Sequence, residues 1–552
     1  MGKEAVDVVV VGSGAGGAPV ALQAARAGAK VVILEKGPAY EVRDYVHDEI
    51  LSSRRNFFMP LPWDEPHLVR AGPNAPYARS NEAWTANCVG GGTVHMSGYF
   101  YRLKPVDFRL KSELGAVPGS TVADWPISYE ALAPYYDMAE EELGVSGNAV
   151  PHKFLEPRKK NYPLPPLAEH PIAQEIDAAC RQFGWQAIPT ARGILSQGYQ
   201  GRGGCTYCTL CGSYGCEMGA KASTQASLIP KAVATGNVEV RARCMATQVR
   251  VDDKGRAKSV VYLDENGVEQ EQSAKFIVVS CTAVESARLL LNSTSSKFPK
   301  GLANDSGLVG KNLLFSSFGE SRANFRVAKS AKERPWLSDT APFVNRSLQE
   351  FYVMPDSRFG FRKGGTLGFM WTHPNPIFAA VRLAGKGSSG VFGKALKDRL
   401  REWKDTRTLQ FEIYGEFLPT PDTSVTVDAN VKDKYGLPVA AITIKRHPVD
   451  LKMTKFLVER GEEVLSAMKP DSIERVGVAG ETTILQGGTC RFGNDPATSV
   501  LDKNCRAHSV DNLYVVDGSF LPSSGGVPIT LTIAANAFRV GAHLAGRLKK
   551  AA

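Results

Sequence analysis

"VDVVVVGSGAGGAPVALQAARAGAKVVILEKG", residues 6–37, decides the fold class. Val8 to Val11 form a continuous apolar run, the pattern of a strand buried on both faces of a parallel sheet. Gly12, Gly14 and Gly17 follow with G-x-G-x-x-G spacing, and Ala18, Leu22 and Ala25 mark one face of a helix. Val31 to Leu34 form a second strand, which ends on Glu35. Gly12 permits the tight turn, Gly14 lets the backbone approach a pyrophosphate, and Gly17 lets the helix lie close on the strand. The helix N-terminus then faces the phosphates. Glu35 stands where a carboxylate accepts hydrogen bonds from an adenosine ribose. The stretch predicts a dinucleotide-binding α/β unit and does not by itself separate NAD from FAD.

At 552 residues the chain exceeds one simple core, so two domains or one large interleaved α/β body are expected. The 53 glycines cluster in a few loops, as they would where backbone wraps a large ligand. A net charge of +10 without a long basic run argues against nucleic-acid binding. Basic residues gather at 382–407, where a solvated helix face is the first reading and a docking surface for an acidic redox partner or a membrane the second. No run of 18 uncharged apolar residues occurs, so no membrane-spanning helix is expected. Glu4 and Asp7 occupy the place of a signal peptide's basic segment, which predicts a cytoplasmic protein, with export on a partner subunit as the alternative.

Residues 237–267 and 408–444 alternate apolar and polar side chains between turn residues, as hairpin strands do. The second stretch suggests the sheet of a substrate domain. The Gly-, Ser- and Pro-rich segment 363–390 before it is expected to be an irregular loop, a lid over the site.

Three further segments resemble the glucose–methanol–choline (GMC) family of FAD oxidoreductases. They are "NCVGGGTVHMSGYFYRL" (87–103), "FIVVSCTAVESARLLLNS" (276–293) and the run from Gly488 to Gly546 that contains "NLYVVDGS" and "LTIAANAFR". "ADWPISYEALAPYYDMAEEELGVSG" (123–147) further resembles the catalytic subunits of bacterial FAD-dependent sugar dehydrogenases. The resemblance implies FAD, a discontinuous Rossmann-like FAD-binding domain, and an α+β substrate domain with an antiparallel sheet. It places the FAD-binding domain in 1–120, 201–314 (with the cysteine loop) and 471–552, a connecting or cap segment in 121–200, and the substrate domain in 315–470. Besides Gly12, Gly14, Gly17 and Glu35, it implies cofactor contacts at Val89, Gly91, Gly92, His95, Cys281, Asp517 and Thr530. Some relatives bond the flavin covalently at the position of His95 and others only contact it there.

Cys205, Cys208, Cys211 and Cys216 have the spacing C-x2-C-x2-C-x4-C. Ferredoxin runs have nearly this form, with one residue fewer before the last cysteine and a proline where Glu217 stands. Zinc sites normally separate two knuckles by a dozen residues or more, and disulfides are disfavoured without a signal peptide. The spacing therefore favours an iron–sulfur cluster, [4Fe–4S] from four ligands or [3Fe–4S] from three. Related sugar dehydrogenases carry a cysteine-ligated cluster in this region, although with different spacing. Such a cluster implies a dehydrogenase passing electrons to a protein acceptor, a cytochrome or ferredoxin, with a small partner subunit as a further possibility.

Family members oxidise an alcohol by hydride transfer to flavin N5 while a histidine, paired with a second His or Asn, removes the hydroxyl proton. In "ILQGGTCRFG" the histidine position is Leu485, and in "GGVPITLTI" the asparagine position is Pro528. Neither side chain accepts a proton. His373 and Glu412 are the candidate replacements. The alternatives are a reductase or desaturase-type enzyme with other acid–base residues, or a non-catalytic electron-transfer flavoprotein.

Overall fold

The computed structural model describes residues 3–551 apart from 52–56, 81, 84–85, 340–342, 373–374, 386–389 and 479–482. The apolar run at the N-terminus becomes the centre of a seven-stranded sheet. Its strands are β1 (Lys3–Val11), β2 (Val31–Leu34), β6 (Val238–Arg241), β7 (Met245–Val251), β8 (Ala257–Leu263), β9 (Glu269–Val279) and β17 (Leu513–Val515). Their order is β6-β2-β1-β9-β8-β7, with β17 also paired to β9. The β6-β2-β1-β9-β17 part is parallel. Val8, Val9 and Val10 are fully buried, because helices cover both faces of such a sheet. The helices Gly17–Arg26, Ala283–Asn292 and Thr530–Ala551 contribute to this same core.

A six-stranded antiparallel sheet stands beyond it. It is made of β5 (Ala187–Pro189), β10 (Gly319–Arg326), β11 (Arg346–Leu348), β12 (Gly365–Trp371), β13 (Thr406–Gly415) and β16 (Ser472–Val478), in the order β16-β10-β13-β12-β11-β5. Strand alternation sends Leu367, Phe369, Leu409, Phe411 and Ile413 to one face. There they pack with Ile172 and Ile176 of the helix Ile172–Gln182 and with Met453, Leu457 and Leu465 of the helix Pro448–Ala467. The opposite face is polar and looks toward the segment 98–101.

Three expectations are revised. Residues 238–241 join the parallel sheet beside β2, and the hairpin is β7–β8 alone. β14 (Ser424–Lys432) and β15 (Pro438–Ile444) do not enter the six-stranded sheet; they form a separate sheet in the order β14-β15-β3-β4 with β3 (His67–Ala71) and β4 (Ala78–Ser80). The segment 363–390 is not a continuous irregular loop, because it holds β12 and the helix Pro376–Ala384. Its glycines serve close packing: a Cβ at Gly365 would lie 2.2 Å from the carbonyl oxygen of Tyr414.

Candidate active site

The turn after β1 excludes side chains at Gly12 and Gly17 and leaves space at Gly14, as the turn at Gly91–Thr93 does at Gly92. A Cβ at Gly12 would lie 2.1 Å from the Ser280 carbonyl oxygen, and one at Gly17 would lie 2.0 Å from the Gly12 carbonyl oxygen. A Cβ at Gly14 would meet no protein atom nearer than 3.9 Å, and one at Gly92 none within 4 Å. The turn is stitched to its surroundings by Ser13. Its N–H and hydroxyl donate to Glu35 Oε2 at 3.1 and 2.7 Å, and its Oγ accepts from the Gly90 N–H at 2.8 Å. Glu35 Oε1 accepts from the Gly37 N–H at 3.0 Å. Burial pushes the Glu35 carboxyl up, and these hydrogen bonds oppose that shift.

Around this cradle the side-chain oxygens of Asn87, Ser280 and Thr282 are buried without a hydrogen-bond partner in the protein. Buried polar atoms are normally satisfied, so such a set marks space for a polar ligand. With a carboxylate at the end of β2 and open backbone at Gly14, the residues fit the FAD that the family implies.

The other expected cofactor residues lie on the elements that edge the cradle. The Val89 N–H donates to the Pro38 carbonyl at 2.9 Å, and Gly91 faces Gly14. His95 is buried, with its ring 5.4 Å from that of Phe58. The Cys281 N–H donates to Ser286 Oγ at 3.0 Å, and burial pushes its thiol up. Asp517 accepts from Ser286 Oγ at 2.5 Å and from the Ser519 N–H at 2.8 Å, and burial raises its carboxyl. Thr530 opens the C-terminal helix.

Leu485 sits in the left-handed backbone region with φ +59 and packs against the main core, while Pro528 is buried. Both positions expected to hold the base are thus apolar. His373 lies outside the described residues. Glu412 stands on β13, directly opposite Gly368, which is in turn opposite Ser347 of β11. Its carboxylate accepts from Tyr414 Oη at 2.8 Å and Gln410 Nε2 at 3.1 Å.

Residues that sequence reasoning did not single out complete this face. The segment 98–101 pairs with 191–193 through Phe100 N–H to Ala191 O (3.1 Å) and Gly193 N–H to Gly98 O (2.7 Å). That pairing lays Tyr99 against Tyr414, with ring centroids 5.5 Å apart, and places the Arg192 guanidinium 3.8 Å over the Tyr99 ring. Tyr101 Oη and Ser347 Oγ lie 2.5 Å apart, and Thr190 Oγ1 extends the chain at 2.8 Å. The two tyrosines were visible in "GYFYRL" as an alternating pair; Arg192 carried no local signal. Farther along, Glu416 Oε1 accepts from Ser524 N–H and Oγ at 3.0 and 3.1 Å, anchoring the turn that leads to Pro528.

The four spaced cysteines lie on a loop that touches the turn 87–97 directly. The Ser213 N–H donates to the His95 carbonyl at 2.9 Å, and the buried Lys221 Nζ donates to the carbonyls of Val94, Cys211 and Tyr214. Cys208 is exposed, and Cys205, Cys211 and Cys216 are half-buried free thiols. Among the described residues no three His, Cys, Asp or Glu side chains are gathered so as to hold a metal ion. The spacing alone therefore does not assemble the expected ligand set. The backbone takes the left-handed form at Tyr207, Thr209 and Ser213.

Residues 164–316 and 419–537 match the GMC oxidoreductase family, and residues 7–43 match an FAD binding domain. The 2-methyl-1,2-propanediol dehydrogenase of Mycolicibacterium austroafricanum is 31% identical over 98% of this chain and 95% of its own length. The 6'''-hydroxyparomomycin C oxidase of Streptomyces lividus is 31% identical over 98% of this chain and 92% of its own. Pyridoxine 4-oxidase from Mesorbium loti shares the fold, with a TM-score of 0.62 at 18% identity over 97% of this chain and 98% of its own. The glycine cradle and these matches make one conclusion: the chain belongs to the GMC oxidoreductase family and is an FAD-dependent enzyme of that family.

Proposed function

We propose that the protein is a dehydrogenase that oxidises the alcohol group of a small polyol, sugar or glycoside. The observation that carries this reading is the polar face of the six-stranded sheet, set against the segment that continues from the glycine-rich turn. FAD, when bound, accepts the hydride from the carbinol carbon. Gly12, Gly14, Gly17 and Glu35 would hold its dinucleotide half, and Val89, Gly91, Gly92, His95, Cys281, Asp517 and Thr530 would surround the rest. With Leu485 and Pro528 apolar, Glu412 takes the hydroxyl proton. Tyr414 holds that carboxylate, and Arg192 and Tyr99 bound the same face. A carboxylate base in hydrogen-bond reach of the substrate hydroxyl is an established solution to this chemistry.

The division into an FAD-binding domain (1–120, 201–314, 471–552), a connecting segment (121–200) and a substrate domain (315–470) belongs to this reading. So does electron delivery to a cytochrome or ferredoxin, with or without a small partner subunit. The two relatives carry both dehydrogenase and oxidase names, so the preference for a dehydrogenase is ours. An iron–sulfur cluster, [4Fe–4S] or [3Fe–4S], on Cys205, Cys208, Cys211 and Cys216 stays in the proposal. What supports it is the loop's direct bonding to the turn 87–97. Among the described residues the thiols are not gathered into such a site. Iron and acid-labile sulfide analysis of anaerobically purified protein, with paramagnetic resonance, tests it; zinc or no metal removes it.

The test of the main reading is anaerobic bleaching of the flavin by 1,2-diols, sugars and glycosides. Bleaching by none of these, in a protein whose flavin dithionite reduces, would overturn it. The apolar Leu485 and Pro528 favour one second reading, a reductase or desaturase-type activity. Reoxidation of the reduced flavin by enones, with no bleaching by alcohols, would establish that activity instead.

A further inference from the structure

The helices Pro376–Ala384 and Gly393–Lys404 connect the ends of β12 and β13 in the six-stranded sheet, with little of their surface covered. In the first only Ala379 is buried, and in the second no residue is. Ile377, Phe378 and Val381 are 45%, 44% and 58% exposed, and Phe392, just before the second helix, is 85% exposed. Glu49 accepts the N–H groups of Ile377 and Phe378 at 2.7 and 2.6 Å, which brings the exposed Ile50 and Leu51 alongside. Single exposed apolar side chains are ordinary, but a cluster of six large ones marks a docking surface.

The charge on the two helices is predominantly positive, with Arg382 paired to Glu474 at 3.4 Å. The two helices carry six basic side chains against two acidic ones. Both acids are already occupied: Asp398 by Lys394 at 2.6 Å and Arg401 at 2.8 Å, and Glu402 by Arg326. Lys397 and Lys404 have no carboxylate partner among the described residues. Phe, Ile and Val beside long cationic side chains are the composition of a helix that lies in a headgroup layer, where the cations reach phosphates and the apolar groups sit below them. No helix among the described residues is long and apolar enough to cross a membrane, so this contact would be peripheral.

We propose that helices 376–384 and 393–404 dock this protein on an anionic lipid bilayer. Tyr214 Oη donates to Asn375 Oδ1 at 3.2 Å, so the docking face adjoins the cysteine loop. The inference rests on the surface alone and stands or falls separately from the reaction proposed above. Its test is co-sedimentation of the flavin-loaded full chain with vesicles of phosphatidylcholine alone or mixed with phosphatidylglycerol. Pelleting with the anionic vesicles, weakened by salt and by at least about tenfold in Phe378→Ser/Phe392→Ser and in Lys394→Glu/Lys397→Glu, is the expected result. Flavin content and alcohol-driven bleaching should be unchanged in both variants. No pelleting, equal pelleting with neutral vesicles, or variants that pellet like the parent would overturn the proposal. A dimer in light scattering that Phe378→Ser/Phe392→Ser abolishes would assign the face to a second copy and overturn it equally.

Discussion

Lys221 Nζ donates at 3.2 Å to the carbonyl of Val94, so a buried cation from the far side of the cysteine loop holds the turn that precedes His95. The same nitrogen reaches the carbonyls of Cys211 and Tyr214 at 2.6 and 2.8 Å. Burial pushes its pKa down, and the surrounding cysteines oppose that.

Lys221→Met should leave the buried carbonyls of Val94 and Tyr214 and the part-buried carbonyl of Cys211 without this donor. Buried groups that lose a partner cost about 1–3 kcal/mol each, so a loss of several kcal/mol is expected. The measurement is a melting curve together with the flavin visible spectrum, and the two should change together. A melting temperature equal to the parent's would show that this tie does not hold the turn.

Gly14→Ala separates cofactor space from protein packing. The added methyl meets nothing in the protein nearer than 3.9 Å, so the apoprotein should melt as the parent does. FAD affinity should fall by about tenfold or more, each factor of ten being about 1.4 kcal/mol. Flavin titration of both apoproteins decides it. Gly17→Ala, whose methyl would collide with the Gly12 carbonyl at 2.0 Å, should fail in stability as well.

Glu412→Gln should slow alcohol-driven flavin reduction by about 100- to 10,000-fold, the span of positioned acid–base catalysis. Its flavin content should stay normal, because the side chain reaches Tyr414 and Gln410 rather than the cradle. Tyr414→Phe should cost less. Stopped-flow reduction at equal flavin loading is the measurement, and an undiminished rate in Glu412→Gln would remove the proposed base.

Glu416 has a pH signature of its own. Burial pushes its carboxyl up from 4.5 to about 7; Lys363 opposes the shift and Asp107 adds to it. A raised carboxyl stabilises the folded chain fully below about pH 4.5 and loses that contribution as pH rises through about 7. At about 1.4 kcal/mol per pKa unit the swing is about 3 kcal/mol. Glu416→Gln keeps an acceptor for Ser524 but cannot titrate, so the parent's stability relative to this variant should fall across that range. Denaturant melts at several pH values check it, and a constant difference would mean that the site titrates normally.

Legibility followed distance along the chain. The cradle was readable because its parts lie within 6–37 and each glycine's function is local. Strand character was readable at 424–444 from its period of two, yet β15 chose β3 rather than β13, because alternation does not name a partner. The glycines of 363–368 looked like loop signals and instead let β12 lie close to β13. The cysteine spacing was readable, but spacing does not set the directions of the thiols, and among the described residues no three of them are gathered as a ligand set.

The sequence by itself determined the dinucleotide fold and the family, since these depend on residue identity at short, fixed spacing. Tertiary structure alone decided that Glu412, Tyr414, Tyr99 and Arg192 share one polar face and that the cysteine loop is bolted to the turn before His95. Those neighbours come from segments as far apart as residues 94 and 414. Only the pairing of strands and the burial of Lys221 bring them together.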